Sequence, residues 1–398
     1  MVLAGGGFRF GYYLGMHAAA VDAGQEPDLL LATCGGAVAG AIIRNLPDSA
    51  ARKAWLASPQ MYEFFRGLRS GPRATPLRAL AGIALRRMNG ARATRIPDLF
   101  NDYLFEIPPV LPLPPEPAPP GAMSVAAATP PPGPENLAAT APPCEPVSVA
   151  ASALRPASAP ALASWIVPAL AIVGGRLLFG PGEAGQLRQG RAIYRVTLFG
   201  DERIAALAAG QPSAIGRDGW TDAVAHDLAI DTTMPLADAA RISIADMVYF
   251  RCQSAGGADY TGGAIDLFPI ELARSLARHV TMEMKQAYDQ QTAIPALRAV
   301  FGIDANARLR HVHGQPADAW IDTSDVSQAL RGTGIQKRIA WRANRVQLVA
   351  PSSYERYVAD VETQWQYGYQ RAQEAYALAA QGHRAAMRNA TRHNKATA

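Results

Sequence analysis

Cysteine is scarce in this 398-residue chain: Cys34, Cys144 and Cys252 are the three it has. With no CxxC pair among them they form neither a disulfide framework nor a thiolate metal knuckle, and they suit a reducing compartment. Charge is thin as well, 18% of residues against 49% hydrophobic, a balance that excludes a chain disordered throughout. The formal net charge is +5, a mild basic lean. It favours an anionic surface or substrate and gives no support to nucleic acid as a partner. A basic n-region followed by a separate apolar stretch is missing after Met1, so no secretory signal is expected and a cytoplasmic location is. Histidines number seven. His17, His226 and His279 stand alone, while His311 and His313 alternate on an expected strand with no carboxylate or cysteine at ligand spacing. No metal and no cofactor are expected.

What is present is a chain long enough for a large core, organised around LLLATCGGAVAGAII, residues 29–43. Leu29, Leu30 and Leu31 read as a buried parallel strand. Cys34-Gly35-Gly36 forces a sharp turn, and Ala37 to Ile43 has the small residues of a tightly packed helix. A strand that breaks at one reactive side chain and runs into a helix is the geometry of a nucleophile elbow. Upstream, VLAGGGFRFG (Val2 to Gly11) reads as a strand stub, a glycine loop and a helix through Tyr12, Leu14, His17 and Ala20. Gly5, Gly6 and Gly7 gather bare amides at a helix start. Phe10 stands where a dinucleotide fingerprint needs glycine, and no ribose-binding acid follows the second strand. An oxyanion hole fits these amides better.

Farther along, residues 50 to 104 look helical, with turns near Pro59, Pro72 and Pro76. From Arg66 through Arg95 there are eight arginines and no acid, a cationic face suited to solvent or to anionic lipid headgroups. Residues 107–160 hold about half of the chain's 31 prolines and read as a disordered or polyproline-like insertion. The uncharged run Ala161 to Gly175 is interrupted by Pro168 and paired glycines, which makes it a poor membrane span and a better buried segment or lid. Strands are expected at Ala192 to Phe199, His279 to Met284 and Ile339 to Val349. Helices are expected at Ile270 to Arg278 and Tyr354 to about Arg388, with a fraying basic end. The whole predicts an α/β fold, three-layer α/β/α with a mostly parallel central sheet. One domain is divided into 1–106 and 161–390 by the insertion 107–160, with a basic tail at 391–398.

The order of these pieces resembles the patatin-like phospholipases. The resemblance is carried by GGGFRFG at Gly5 to Gly11, ATCGG at Ala32 to Gly36 and YTGGAIDLFPIELA at Tyr260 to Ala273. VQLVAP at Val346 to Pro351 and GYQRAQEA at Gly368 to Ala375 complete it. It implies a patatin-like fold and a serine–aspartate dyad hydrolysing lipid acyl esters. Gly5, Gly6 and Gly7 would form the oxyanion loop, and Arg9 would hold its basic position. Phe10 and Ala32 depart from family glycines, Cys34 replaces the serine, and Thr261 falls where the dyad aspartate belongs, ahead of Gly262 and Gly263.

A thiol needs less help than a hydroxyl, because a few per cent of it is already thiolate at neutral pH. Thr261 cannot be a general base, although it can donate a hydrogen bond or orient a water. Asp259, two residues earlier in an extended stretch and so on the same side, is the preferred substitute base, ahead of Asp266. Two functions follow. One is a lipid acyl hydrolase or acyltransferase using Cys34, with a lipid or acyl ester as substrate and peripheral contact with an anionic membrane. The other is an inactive patatin-like pseudoenzyme that binds lipid or a protein partner.

Overall fold

Five consecutive buried residues, LLLAT, make up β2 (Leu29–Thr33); a strand covered on both faces has no polar side to alternate with. β1 (Val2–Leu3) lies parallel to it, with Val2 opposite Leu31. A small hairpin of β3 (Arg69–Ser70) and β4 (Phe105–Glu106) comes next. β5 (Ala169–Leu177) then runs parallel to β2, Leu29 opposite Ala169 and Thr33 opposite Val173. Here the direction changes. β6 (Tyr194–Phe199) is antiparallel to β5, and β7 (Ala229–Asp231) is parallel to β6. The hairpin of β8 (Gln253–Ala255) and β9 (Ala258–Thr261) joins β5 antiparallel, with Thr261 opposite Gly175.

The chain is thus mixed α/β, and its main sheet is mixed as well, in the order β1-β2-β5-β6-β7 with β9 and β8 branching from β5. This corrects the expectation of a mostly parallel sheet. A parallel return needs a crossover of a dozen or more residues, usually a helix. Between β5 and β6 the helical structure is one short turn, Pro181–Glu183, so β6 comes back antiparallel. Two smaller pairs follow, β10 (Thr281–Met284) parallel to β11 (Ala319–Asp322) and β12 (Gln336–Ala340) antiparallel to β13 (Arg345–Val349).

This computed structural model describes residues 1–72, 74–75, 81–82, 84, 93–116, 167–340 and 345–396, with side chains as far as 382. Met1–Pro115 and Val167–Ala398 form one compact unit; Glu116–Ile166 is a second, of which Glu116 alone is described. Most of the arginine-rich stretch and of the proline-rich insertion lies outside the described residues.

Alternate side chains of β2 feed two apolar cores. Leu30 and Ala32 join one that contains α1 (Phe10–Asp22), α2 (Gly35–Asn45) and the C-terminal helix Tyr354–Ala396. Leu29 and Leu31 join the other, with Val173, Tyr194 and Phe301. Gly368 explains why the C-terminal helix can approach α1 so closely. A Cβ there would collide with the backbone carbonyl of Tyr12, and one on Gly15 would collide with that of Trp365.

Several expectations are corrected by these elements. Of the two expectations for the run after Pro168, the buried segment holds and the lid does not: from Ala169 it is β5, a central strand with buried apolar residues. Residues 107–115 lie in the compact unit, tied down by Asn45 Nδ2 donating to the Pro114 carbonyl (2.7 Å) and Arg241 Nε to that of Pro108 (3.2 Å). Proline carbonyls remain good acceptors even where the ring forbids regular structure. His311 and His313 lie on the helix Ala305–His313 instead of a strand. Ile339 to Val349 is a hairpin, and the last helix continues to Ala396.

Candidate active site

Cys34 stands between β2 and α2 with φ 49° and ψ −123°. This is a left-handed backbone that a non-glycine residue adopts only when its surroundings force it. The forcing groups are identifiable. The Cys34 amide donates to Ser243 Oγ at 2.8 Å, and that hydroxyl donates onward to the Val173 carbonyl of β5 at 2.7 Å. Ser243 closes the helix Leu236–Ser243, so a buried hydroxyl with no exposure fastens the elbow to the sheet and to that helix together. The turn does hold one side chain up at the end of the strand, with the orphan first amides of α2 beside it.

The carboxylate facing the thiol is Asp246. Cys34 Sγ donates to Asp246 Oδ1 at 3.1 Å, and the Ala264 amide donates to the same oxygen at 3.1 Å. Asp246 lies three residues past Ser243, in the turn that follows the helix, so the two groups that define the elbow arrive on one short segment. Gly262 and Gly263 make the approach possible. A Cβ on Gly262 would overlap the Asp246 carboxyl, and one on Gly263 would come 2.9 Å from the Cys34 nitrogen.

Electrostatically the pair is costly. Burial pushes the Asp246 carboxyl up to about 6, against the hydrogen bonds from Cys34 and Ala264 that pull it down. Burial, and after it the charge of Asp246, push the Cys34 thiol well above its ordinary value. The proton therefore rests on sulfur, and above pH 6 the aspartate is an ionised acceptor for it. Cys34 itself is 3% exposed.

The glycine loop stands next to the sulfur: a Cβ on Gly5 would lie 3.2 Å from Cys34 Sγ. Its amides are not equivalent. Gly5 N donates to Thr33 Oγ1 at 2.9 Å, which in turn donates to the Leu267 carbonyl at 3.3 Å. Thr33 thus clamps the loop to the turn Gly263–Asp266, and the Gly5 amide is spent. Gly7, at φ +66°, bends the loop back over α2, where its carbonyl packs on Gly35. Arg9 follows as the N-cap position of α1, without a side-chain cap.

The residues expected from the sequence are placed as follows. Cys34, Gly5, Gly6 and Gly7 are together, and Gly262 and Gly263 join them. Thr261 is 1% exposed on β9; its hydroxyl reaches toward the Ala245 carbonyl (3.5 Å), beside the segment that carries Asp246. Asp259 accepts from Ser254 Oγ in the β8–β9 hairpin, and the carboxylate at Cys34 is Asp246 in its place. Asp266 points to Arg308. Asp246 and Ser243 were not anticipated. The one sequence signal that could have found Asp246 is its setting: a lone acid in IADMVYF, an apolar segment with no basic neighbour before Arg251.

Among the described residues no group of three or more histidine, cysteine or carboxylate side chains could hold a metal ion. No helix among them is long and apolar enough to cross a membrane. No family model matches this chain, and no curated protein matches it.

Proposed function

We propose that the protein is a patatin-like acyl-ester hydrolase, of three-layer α/β/α architecture, in which Cys34 is the nucleophile and Asp246 its base. The observation that carries this reading is the 3.1 Å Sγ–H···Oδ1 contact at a strained elbow residue, with the glycine loop alongside. The reaction divides into two steps. Asp246 accepts the thiol proton as sulfur attacks the ester carbonyl, and the negative charge that develops on the carbonyl oxygen faces the Gly6 and Gly35 amides. Collapse expels the alcohol, which takes the proton from Asp246, and leaves an acyl thioester on Cys34. A water then gives its proton to Asp246 and attacks the thioester; the acid departs and the thiol is restored. An alcohol in place of water makes the same chemistry an acyl transfer.

Substrate reaches a 3% exposed sulfur only after the loop Gly5–Phe8 or the turn Gly263–Asp266 moves aside. An apolar acyl chain beside an anionic headgroup is the class of substrate that the apolar surroundings and the basic balance suit best. Contact with an anionic membrane surface belongs to this proposal.

The test is intact-protein mass spectrometry after incubation with p-nitrophenyl butyrate. An acyl adduct on Cys34 that forms faster as pH rises through about 6 is the expected result, and Cys34→Ala abolishes it. A folded protein that acquires no adduct at pH 8 overturns the hydrolase reading. It would leave the lipid-binding pseudoenzyme, the reading that the low exposure of Cys34 favours.

A further inference from the structure

Behind the glycine loop lies a buried charge that the chemistry above leaves unused. Glu283 on β10 and Lys285 just after it form an ion pair whose side chains are 0% and 9% exposed. Lys285 Nζ donates to Tyr12 Oη at 2.5 Å and stands 5.0 Å and 5.5 Å from the ring centroids of Tyr12 and Tyr13. The two rings are themselves 4.1 Å apart. Both hydroxyls press on the loop. A Cβ on Gly6 would come 2.8 Å from Tyr13 Oη and still closer to Tyr12 Oη. Tyr13 Oη, on a side chain with no exposure, makes no hydrogen bond among the described residues.

A buried ion pair is poor evidence of stability, since well-packed apolar residues of similar volume hold a fold as well or better. Its position is what gives this pair a use. Lys285 is the cation that opposes the upward push on the Cys34 thiol. The other groups facing the pair are Arg9 at the start of α1, Tyr12, Tyr13, Tyr367 of the C-terminal helix, and His313, whose Nε2 accepts from the Lys285 amide at 3.3 Å. Burial pushes Glu283 up to about 7, so its charge changes near neutrality; burial also lowers Lys285, against the opposing pull of Glu283.

We propose that Lys285 is a positioning residue of the elbow: it holds the Tyr12–Tyr13 pair under Gly6 and sets a positive charge behind the loop that favours negative charge at Cys34. Glu283 tunes how much of that charge is felt. The inference rests on the reading of Cys34 as the nucleophile and deepens it.

The experiment is the rate of alkylation of Cys34 by iodoacetamide at pH 6.5 and 8.5, followed by peptide mass spectrometry on the full chain. Buried Cys252 serves as the internal gauge of loosening. Lys285→Met is expected to slow alkylation of Cys34 by about tenfold, and Glu283→Gln to speed it by about threefold at pH 8.5, as unit charges removed from a site of intermediate dielectric should. Tyr12→Phe, which keeps the ring, slows it by about threefold. A purely structural role would move Lys285→Met and Glu283→Gln in the same direction and expose Cys252 in both. That pattern, or equal rates in all forms including no reaction at all, overturns the proposal. Alkylation requires no ester turnover, so a wild-type protein that fails to acylate while the opposite shifts appear refutes the hydrolase reading and leaves this one standing.

Discussion

Asp246 and Asp266 are two carboxylates at the same short turn, Gly263–Asp266, one accepting from its Ala264 amide and the other its last residue, and both are pushed up to about 6 by burial. Their neighbours differ in kind. Asp266 belongs to an ion network in which Arg308, with its side chain 5% exposed, grips Glu271 through two bonds of 2.6 Å and approaches Asp266 at 3.5 Å. Burial raises Glu271, but Arg308 overcomes it and holds that carboxyl below its usual range. Among the described residues Asp246 accepts from a thiol and an amide. A carboxylate packed against its natural counter-charge fixes a fold, whereas one packed against a neutral thiol is a cost to the fold, which is the kind of perturbed group the proposed chemistry needs. The shared turn means that the ion network braces the backbone from which the Ala264 amide reaches Asp246.

The largest effect should come from the paired side. Arg308→Met removes the cation, leaves Asp266 buried without its counter-charge and leaves Glu271 with His311 alone, at a cost of about 3–5 kcal/mol by denaturant unfolding at pH 8. The loss should shrink toward pH 5, because the carboxyls left behind can then protonate. A cost under about 1 kcal/mol would mean the two regions do not differ as argued.

Asp246→Asn should behave oppositely. In the wild type the folded carboxyl titrates near 6 and the unfolded one near 3.8, so between these values the unfolded state binds fewer protons than the folded one. Stability is therefore lost as pH rises through that window, by up to about 3 kcal/mol above pH 6. The amide keeps an acceptor for Cys34 and Ala264 but cannot ionise. The variant should gain up to about 3 kcal/mol at pH 8 and nothing at pH 3.5, while acylation of Cys34 falls by about 10²-fold. Equal stability curves for the two proteins would sharpen the comparison against the proposal, since they would show the Asp246 carboxyl to be well hydrated.

The sequence made the elbow legible and left its partner hidden, for physical reasons. Leu29 to Ile43 announces strand, turn and helix through local composition, and the glycine loop announces itself by backbone freedom. Gly262 and Gly263 were also visible, but as a turn. Their purpose is the close approach of Asp246, a contact across sixteen residues that no local pattern encodes. β7 escaped notice because its three residues, Ala229–Asp231, are all half-buried and show no alternation. β5 is legible as a buried segment but not as a strand, because a strand buried on both faces resembles any other apolar run. Asp259 attracted attention by its place beside Thr261. Side-chain alternation along β9 does put them on one side, yet β9 branches from β5 and pairs with β8, and Asp259 turns to its own hairpin.

The smallest effect follows from that placement. Asp259 is joined to Ser254 across the exposed end of the β8–β9 hairpin, and Asn at this position keeps an oxygen for the same hydroxyl. Asp259→Asn should shift stability by no more than about 0.5 kcal/mol and leave the acylation of Cys34 unchanged at every pH. Equilibrium unfolding and the acylation assay on this variant, run beside Asp246→Asn, separate the two acids directly. If Asp259→Asn lost the pH dependence near 6 and Asp246→Asn kept it, the base would have to be carried from the hairpin to the sulfur by a rearrangement of β9. The tight seat of Gly263 on the Cys34 nitrogen argues against such movement, because β9 and that glycine are joined through a single residue.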